Sequence, residues 1–144
     1  MGQLVLPAAG LVYLDTQVVI YTVEKHPVYG PLLLPLWQAV QAGSLDVACS
    51  DLAILEALIG PLRTKNQPLA TYYDQFFAQL GVRMLPISVS ILKDAARLRA
   101  DKKLRTPDAI HASTAIAIGA DMFLTNDRRL KSVPSLPVTV LSEI

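Results

Sequence analysis

"TPDAIHASTAIAIGADMFLTNDRRL", residues 106–130, carries a helix signal and a strand signal back to back. Thr106 offers an N-cap oxygen, and Pro107 suits the first helical position because its missing N–H would be unpaired there anyway. Gly119 stands where a left-handed residue ends a helix, so a helix is expected over about 107–118. "MFLT", 122–125, is then a short apolar run of the kind that a parallel strand covered on both faces requires.

The same pairing recurs outward along the chain. "LVYL" 11–14, "LDVAC" 45–49, "VRMLPI" 82–87 and "VTVL" 138–141 read as further strands. Ser50 or Asp51 can cap a helix reaching about Leu62, and Ser88 or Ser90 one reaching about Ala100. Two more helices are expected around "LPLWQAVQA", about 31–42, and "LATYYDQFFAQL", about 68–80; Pro31 and Pro35 weaken the first. Strands alternating with helices predict an α/β fold, a three-layer α/β/α sandwich on a central, mostly parallel sheet of about five strands. The 144 residues suffice for one domain, 1–144. Its functional crevice should lie at the carboxyl ends of the strands.

Thirteen Lys and Arg against twelve Asp and Glu leave a net charge of +1, so the overall balance marks no nucleic-acid binder and no acidic shell. With 52% apolar residues and a mean hydropathy of +0.39, some apolar surface is expected to be covered by a partner, first of all a second copy in a homodimer. Cys49 is the only cysteine, which excludes an intrachain disulfide and fits a reducing cytoplasmic setting; its expected role is that of a small buried hydrophobe. "MGQLVLPAAG" lacks a basic leader and is interrupted by Pro7 and Gly10, and no apolar run approaches the ~18–20 residues that cross a bilayer. A soluble protein with no membrane partner is expected.

Against this background the acids are placed systematically. Asp15, inside the apolar "VYLDTQVVIY" 12–21, follows the first strand; Glu56 lies in the helix after the second; Asp108 falls in the first turn of the 107–118 helix; Asp127 follows the fourth strand. All four belong to one end of the sheet. Carboxylates gathered there repel one another unless a multivalent cation neutralises them, and oxygen ligation selects hard ions such as Mg²⁺ or Mn²⁺. Asp121 precedes the fourth strand, more than ~13 Å from Asp127 at the usual rise per residue, and is excluded from such a site. Taken singly, Asp108 also reads as a helix-dipole partner and Glu56 as a solvated helix position.

"YLDTQVVIY", "SDLAILEAL" and "TPDAIHASTAIAIGADMFLTNDRRL", in this order and spacing, resemble the PIN-domain family over nearly the whole chain, most closely the VapC-type toxins. The resemblance implies a metal-dependent endoribonuclease whose acidic quartet is Asp15, Glu56, Asp108 and Asp127. Asp15 and Asp108 would ligate the ion, with Asp127 and Glu56 holding it directly or through water. It also implies an RNA substrate and a small antitoxin protein as partner. Gln17 departs from the pattern, which commonly has Asn or Ser there.

Around the quartet, Thr16 and Asn126 are expected to hydrogen-bond behind the ligands, although plain turn chemistry would also place them there. Arg105 and Arg128, with Lys102, Lys103, Arg129 and Lys131, bracket the crevice and are expected to meet RNA phosphates; a helix end and solvated loops explain the same residues without RNA. His111, one turn after Asp108, is read as a packing or hydrogen-bonding residue, and His26 as a loop residue. Tyr72, Tyr73, Phe76 and Phe77 have the spacing of a core or dimer stripe, and Trp37 within "PLLLPLW" reads as packing, with an antitoxin as one surface it could pack against.

Two other classes compete. A haloacid-dehalogenase-like phosphatase needs a second acid two residues after the first, where Gln17 stands, and neither a P-loop nor G-x-G-x-x-G is present. A PIN-like module that binds RNA or protein without cutting, or an RNA-processing PIN nuclease outside a toxin–antitoxin pair, stays open as the alternative.

Overall fold

A computed structural model describes residues 2–79 and 81–144. Its five strands are β1 (Gly10–Leu14), β2 (Leu45–Ser50), β3 (Val82–Leu85), β4 (Met122–Thr125) and β5 (Val138–Val140). They lie in the order β3-β2-β1-β4-β5, and every neighbouring pair is parallel. The expected α/β sandwich is therefore present, with a sheet that is wholly parallel. Strand order reverses between β1 and β4, and that is the switch point at which such sheets open a crevice at their carboxyl ends.

Alternation along β1 explains the layers. Val12 and Leu14 pack on one face with Val47, Cys49 and Leu124, under α1 (Thr16–Val23), α3 (Leu34–Gln41), α4 (Leu52–Arg63) and α5 (Gln67–Phe77). Leu11 and Tyr13 face the other way, with Ala48 and Phe123, under α6 (Val89–Asp101) and α7 (Thr106–Ile118). Cys49 is fully buried, and desolvation pushes its thiol up to about 12, as a small hydrophobe requires. No helix among the described residues is long and apolar enough to cross a membrane.

Several local expectations change. β1 stops at Leu14, the expected end of the first strand, but the residues after it form an unexpected helix, α1, with Asp15 as its N-cap and the carboxylate accepting from Thr16 N. The 31–42 helix is split into α2 (Tyr29–Leu32) and α3, with Leu33 between them and Pro35 in the first turn of α3. Thr106 does not cap α7; Arg105 holds the N-cap position without a side-chain cap bond, and the Thr106 hydroxyl accepts from Arg99 instead. Gly119 ends that helix as expected, with φ of +69°. Of the aromatic stripe, Tyr73 and Phe76 are core, Phe77 packs against it, and Tyr72 is exposed.

The amino-terminal end of the sheet is closed by a clasp. Asp121 Oδ2 accepts from Leu11 N at 2.8 Å, so Asp121 is occupied at the end opposite the acids. Gly10 makes room for it: a Cβ there would lie 2.0 Å from that same oxygen, at a φ of +115° that side chains rarely adopt.

Candidate active site

Four carboxylates from four separate elements line one cavity of about 200 Å³. Asp15, Glu56, Asp108 and Asp127 share it with Thr16, Gln17, Ile20 and Arg105. Each is delivered by a local rule. Asp15 caps α1 where β1 ends, Glu56 rides the second turn of α4, Asp108 occupies the first turn of α7, and Asp127 follows β4 and caps the 3₁₀ turn Arg128–Ser132.

Like Asp108 at 6%, Asp15 is buried, 7% exposed. Its Oδ1 accepts from Thr16 N at 2.8 Å and its Oδ2 from the Thr125 hydroxyl at 2.7 Å. Burial nevertheless raises its pKa above the ordinary carboxylate value, outweighing the neighbouring His111 ring and both hydrogen bonds. Thr125 Oγ1 in turn accepts from Asp127 N at 3.0 Å, which couples the ends of β1 and β4.

Arginines hold the other aspartates. Arg129 grips Asp127 through Nε and Nη2, the shortest contact being 2.6 Å, and keeps that carboxyl below its usual range. Arg105 Nε donates to Asp108 Oδ2 at 3.1 Å and its Nη2 lies 3.7 Å from Asp127. Arg128 is placed differently from its expected position at the crevice: it pairs with Glu143 at 2.8 Å, because the 3₁₀ turn carries Arg129 rather than Arg128 back over the acids. Asn126 also points elsewhere, donating to Tyr21 Oη and accepting from Ser142 N, and so ties the β4 loop to α1 and the carboxyl terminus.

Behind Glu56 runs a buried polar chain. Glu56 Oε1 accepts from the Thr16 hydroxyl at 2.8 Å and lies 2.7 Å from His111 Nε2. His111 Nδ1 lies 2.7 Å from Tyr13 Oη, which accepts from Ser50 N at 3.0 Å. Burial alone would raise Glu56, but His111, Thr16 and Arg105 prevail and lower it. Desolvation pushes the Tyr13 phenol well above its ordinary value, so it keeps its proton. Tyr13, Thr125 and the grip of Arg129 carry no sequence signal of their own; a tyrosine within an apolar strand reads as core.

The donor set suits a hard divalent ion, since it offers four carboxylates, of which Asp15 and Asp108 are buried. The ligands are not preassembled: among the described residues, no three His, Cys, Asp or Glu side chains form a metal-holding group. Arg105 and Arg129 occupy the Asp108 and Asp127 oxygens that such a group needs.

The PIN domain family model matches residues 12–136. No curated protein matches the chain significantly. Among solved structures, the chain is similar to VapBC2 of Rickettsia felis bound to a promoter DNA fragment, with 21% identity, a TM-score of 0.72, and 90% of this chain and 98% of that chain covered. It is similar to a toxin–antitoxin complex from Klebsiella pneumoniae at 22% identity and TM-score 0.68, covering 92% and 99%. A third is Mycobacterium tuberculosis VapC20, described as a sarcin-ricin loop cleaving toxin, at 13% identity and TM-score 0.64, covering 78% and 86%. At these identities the likeness speaks for the fold.

Proposed function

We propose that this chain, which belongs to the PIN-domain family, is a divalent-metal-dependent endoribonuclease of the VapC toxin type, held in check by a small antitoxin. The observation that carries this reading is the convergence of Asp15, Glu56, Asp108 and Asp127 on one cavity from elements far apart in sequence. Asp15 and Asp108 would hold Mg²⁺ or Mn²⁺, with Asp127 and Glu56 beside them. Such an ion, when bound, neutralises phosphate charge and makes water nucleophilic near neutral pH.

The chain's own residues supply the rest. Thr16 N and Thr125 keep Asp15 aimed and unable to rotate away. Glu56 Oε1 is committed to Thr16 and His111, which leaves Oε2 to orient the attacking water. Arg105 and Arg129, more than half exposed, can swing from the acids to the phosphates on either side of the scissile bond. The antitoxin assignment draws on the likeness to the Klebsiella toxin–antitoxin complex. A homodimer is supported by Leu55, Ile59 and Leu62, exposed along α4 at a spacing that puts them on one face.

One observation favours the non-cleaving alternative: the two arginines already balance Asp108 and Asp127 without an ion. Incubation with mixed RNA, with Mn²⁺ or Mg²⁺ and with chelator, separates the two. Cleavage that needs the ion and is lost in Asp15→Asn supports the nuclease; cleavage indifferent to both rejects the mechanism, and binding without cleavage supports the module. Growth arrest on induction, relieved by Asp108→Asn and by the product of a neighbouring reading frame, tests the toxin assignment.

A further inference from the structure

We infer that Tyr13 and His111 are positioning residues of the acidic site: the Tyr13 hydroxyl fixes His111 as an Nε2–H donor, and that donor holds Glu56 in its orientation at the cavity. The inference rests on the nuclease reading for its consequence, and on hydrogen-bond bookkeeping for its geometry.

Tyr13 Oη accepts from Ser50 N, and among the described residues the one acceptor within its reach is His111 Nδ1, so its proton goes there. Nδ1 is thereby the accepting nitrogen and the ring proton sits on Nε2. From Nε2 that proton faces Glu56 Oε1 at 2.7 Å and Thr16 Oγ1 at 3.1 Å, while the Thr16 hydroxyl donates to the same carboxylate oxygen. The opposite tautomer would aim a bare nitrogen at a carboxylate and leave the phenol proton without a partner, in a region where Tyr13 and Ser50 are fully buried and His111 is 1% exposed.

Any buried histidine needs a partner for each ring nitrogen, one donating and one accepting, so the identity of those partners is what matters. Here both nitrogens are assigned, and the chain ends on an acid of the cavity. His111 also stands one helical turn from Asp108 on α7, so the same helix that delivers one acid steadies another. Outer hydrogen bonds of this kind set the direction of a ligand's lone pairs, and their loss costs about 10–100-fold in metal affinity or activity.

The test uses the full chain with ¹⁵N-labelled histidine side chains, which gives only His26 and His111 to assign. The wild type is expected to show His111 protonated at Nε2 with an acceptor-type Nδ1, and Tyr13→Phe to mix the tautomers. Mn²⁺ affinity, followed by titration calorimetry, should fall about tenfold in Tyr13→Phe and His111→Leu and recover in His111→Gln, which keeps a donor. In RNA cleavage kcat should fall with KM little changed. An Nδ1–H tautomer in the wild type, or equal Mn²⁺ affinity in His111→Leu and His111→Gln, overturns the inference. Should Tyr13→Phe not fold, the wild-type tautomer and the His111 pair decide alone. Failure of the wild type to cleave RNA would refute the nuclease while the tautomer still decides this assignment.

Discussion

Replacing Gly10 by alanine should be among the most damaging small changes in this protein, although Gly10 lies at the end of the sheet away from the acids. The new Cβ would sit 2.0 Å from Asp121 Oδ2, so the Asp121 carboxylate must leave and the Leu11 N–H loses its acceptor. A part-buried N–H without a partner costs about 1–3 kcal/mol. Holding alanine at φ of +115° adds about 1–2 kcal/mol of backbone strain. The sum is about 2–5 kcal/mol. For 144 residues the unfolding entropy near the midpoint is about 0.3 kcal/mol/K, so the melting temperature should drop by about 7–16 °C.

Gly119→Ala is the control, because no described residue lies within 4 Å of its Cβ position and only the positive φ is at stake; about 1 kcal/mol, or about 3 °C, is expected. Calorimetric melting of both variants, with urea midpoints alongside, makes the comparison. In Gly10→Ala combined with Asp121→Gly the collision is gone, so the double variant should be destabilised by less than the two single effects added. Equal losses at Gly10 and Gly119, or strict additivity in the double variant, would refute the clasp.

Arg129→Ala frees Asp127 and removes a cation from the cavity rim, so Mn²⁺ should bind several-fold more tightly by calorimetry while RNA binding weakens and its salt slope falls by about one. Asp15→Asn should lower RNA cleavage on the order of 10²-fold or more, measured in initial rates with Mn²⁺. Because folding raises the Asp15 pKa, its ionised form opposes folding: the stability it leaves intact below about pH 3.9 is lost as pH rises through the raised folded value. Ion-free Asp15→Asn should therefore gain on the wild type in urea midpoint as pH is raised. Glu56 and Asp127 have the reverse sign, since both are lowered: their contribution is present above about pH 4 and lost as pH falls through their folded values. The destabilisation seen in Asp127→Asn at pH 7 should shrink at pH 3.

The strands were legible because each is an apolar run short enough to be covered on both faces, and "MFLT" matches β4 to the residue. α1 was hidden because it continues the apolar composition of β1; Val18 and Val19 pack into the core, and only the capping geometry of Asp15 marks the change of period. The acids could be placed at one end by counting strand ends. What they touch could not be counted. The partner of His111 is 98 positions away in sequence, and choosing Arg129 over Arg128 depends on the sense of a five-residue 3₁₀ turn. Linear patterns report which face a residue lies on, while hydrogen-bond partners are fixed only when separate elements dock.

The place of β4 beside the central strand β1 has a consequence for synthesis. β1 and β2 emerge from the ribosome early, but the edge of β1 that β4 fills stays open until residues 122–125 arrive, and Asp127 comes just after them. A nascent or prematurely terminated chain therefore lacks both a closed sheet and a complete set of acids. Until residues 122–127 have been made, the carboxylate-lined cavity lacks part of its wall.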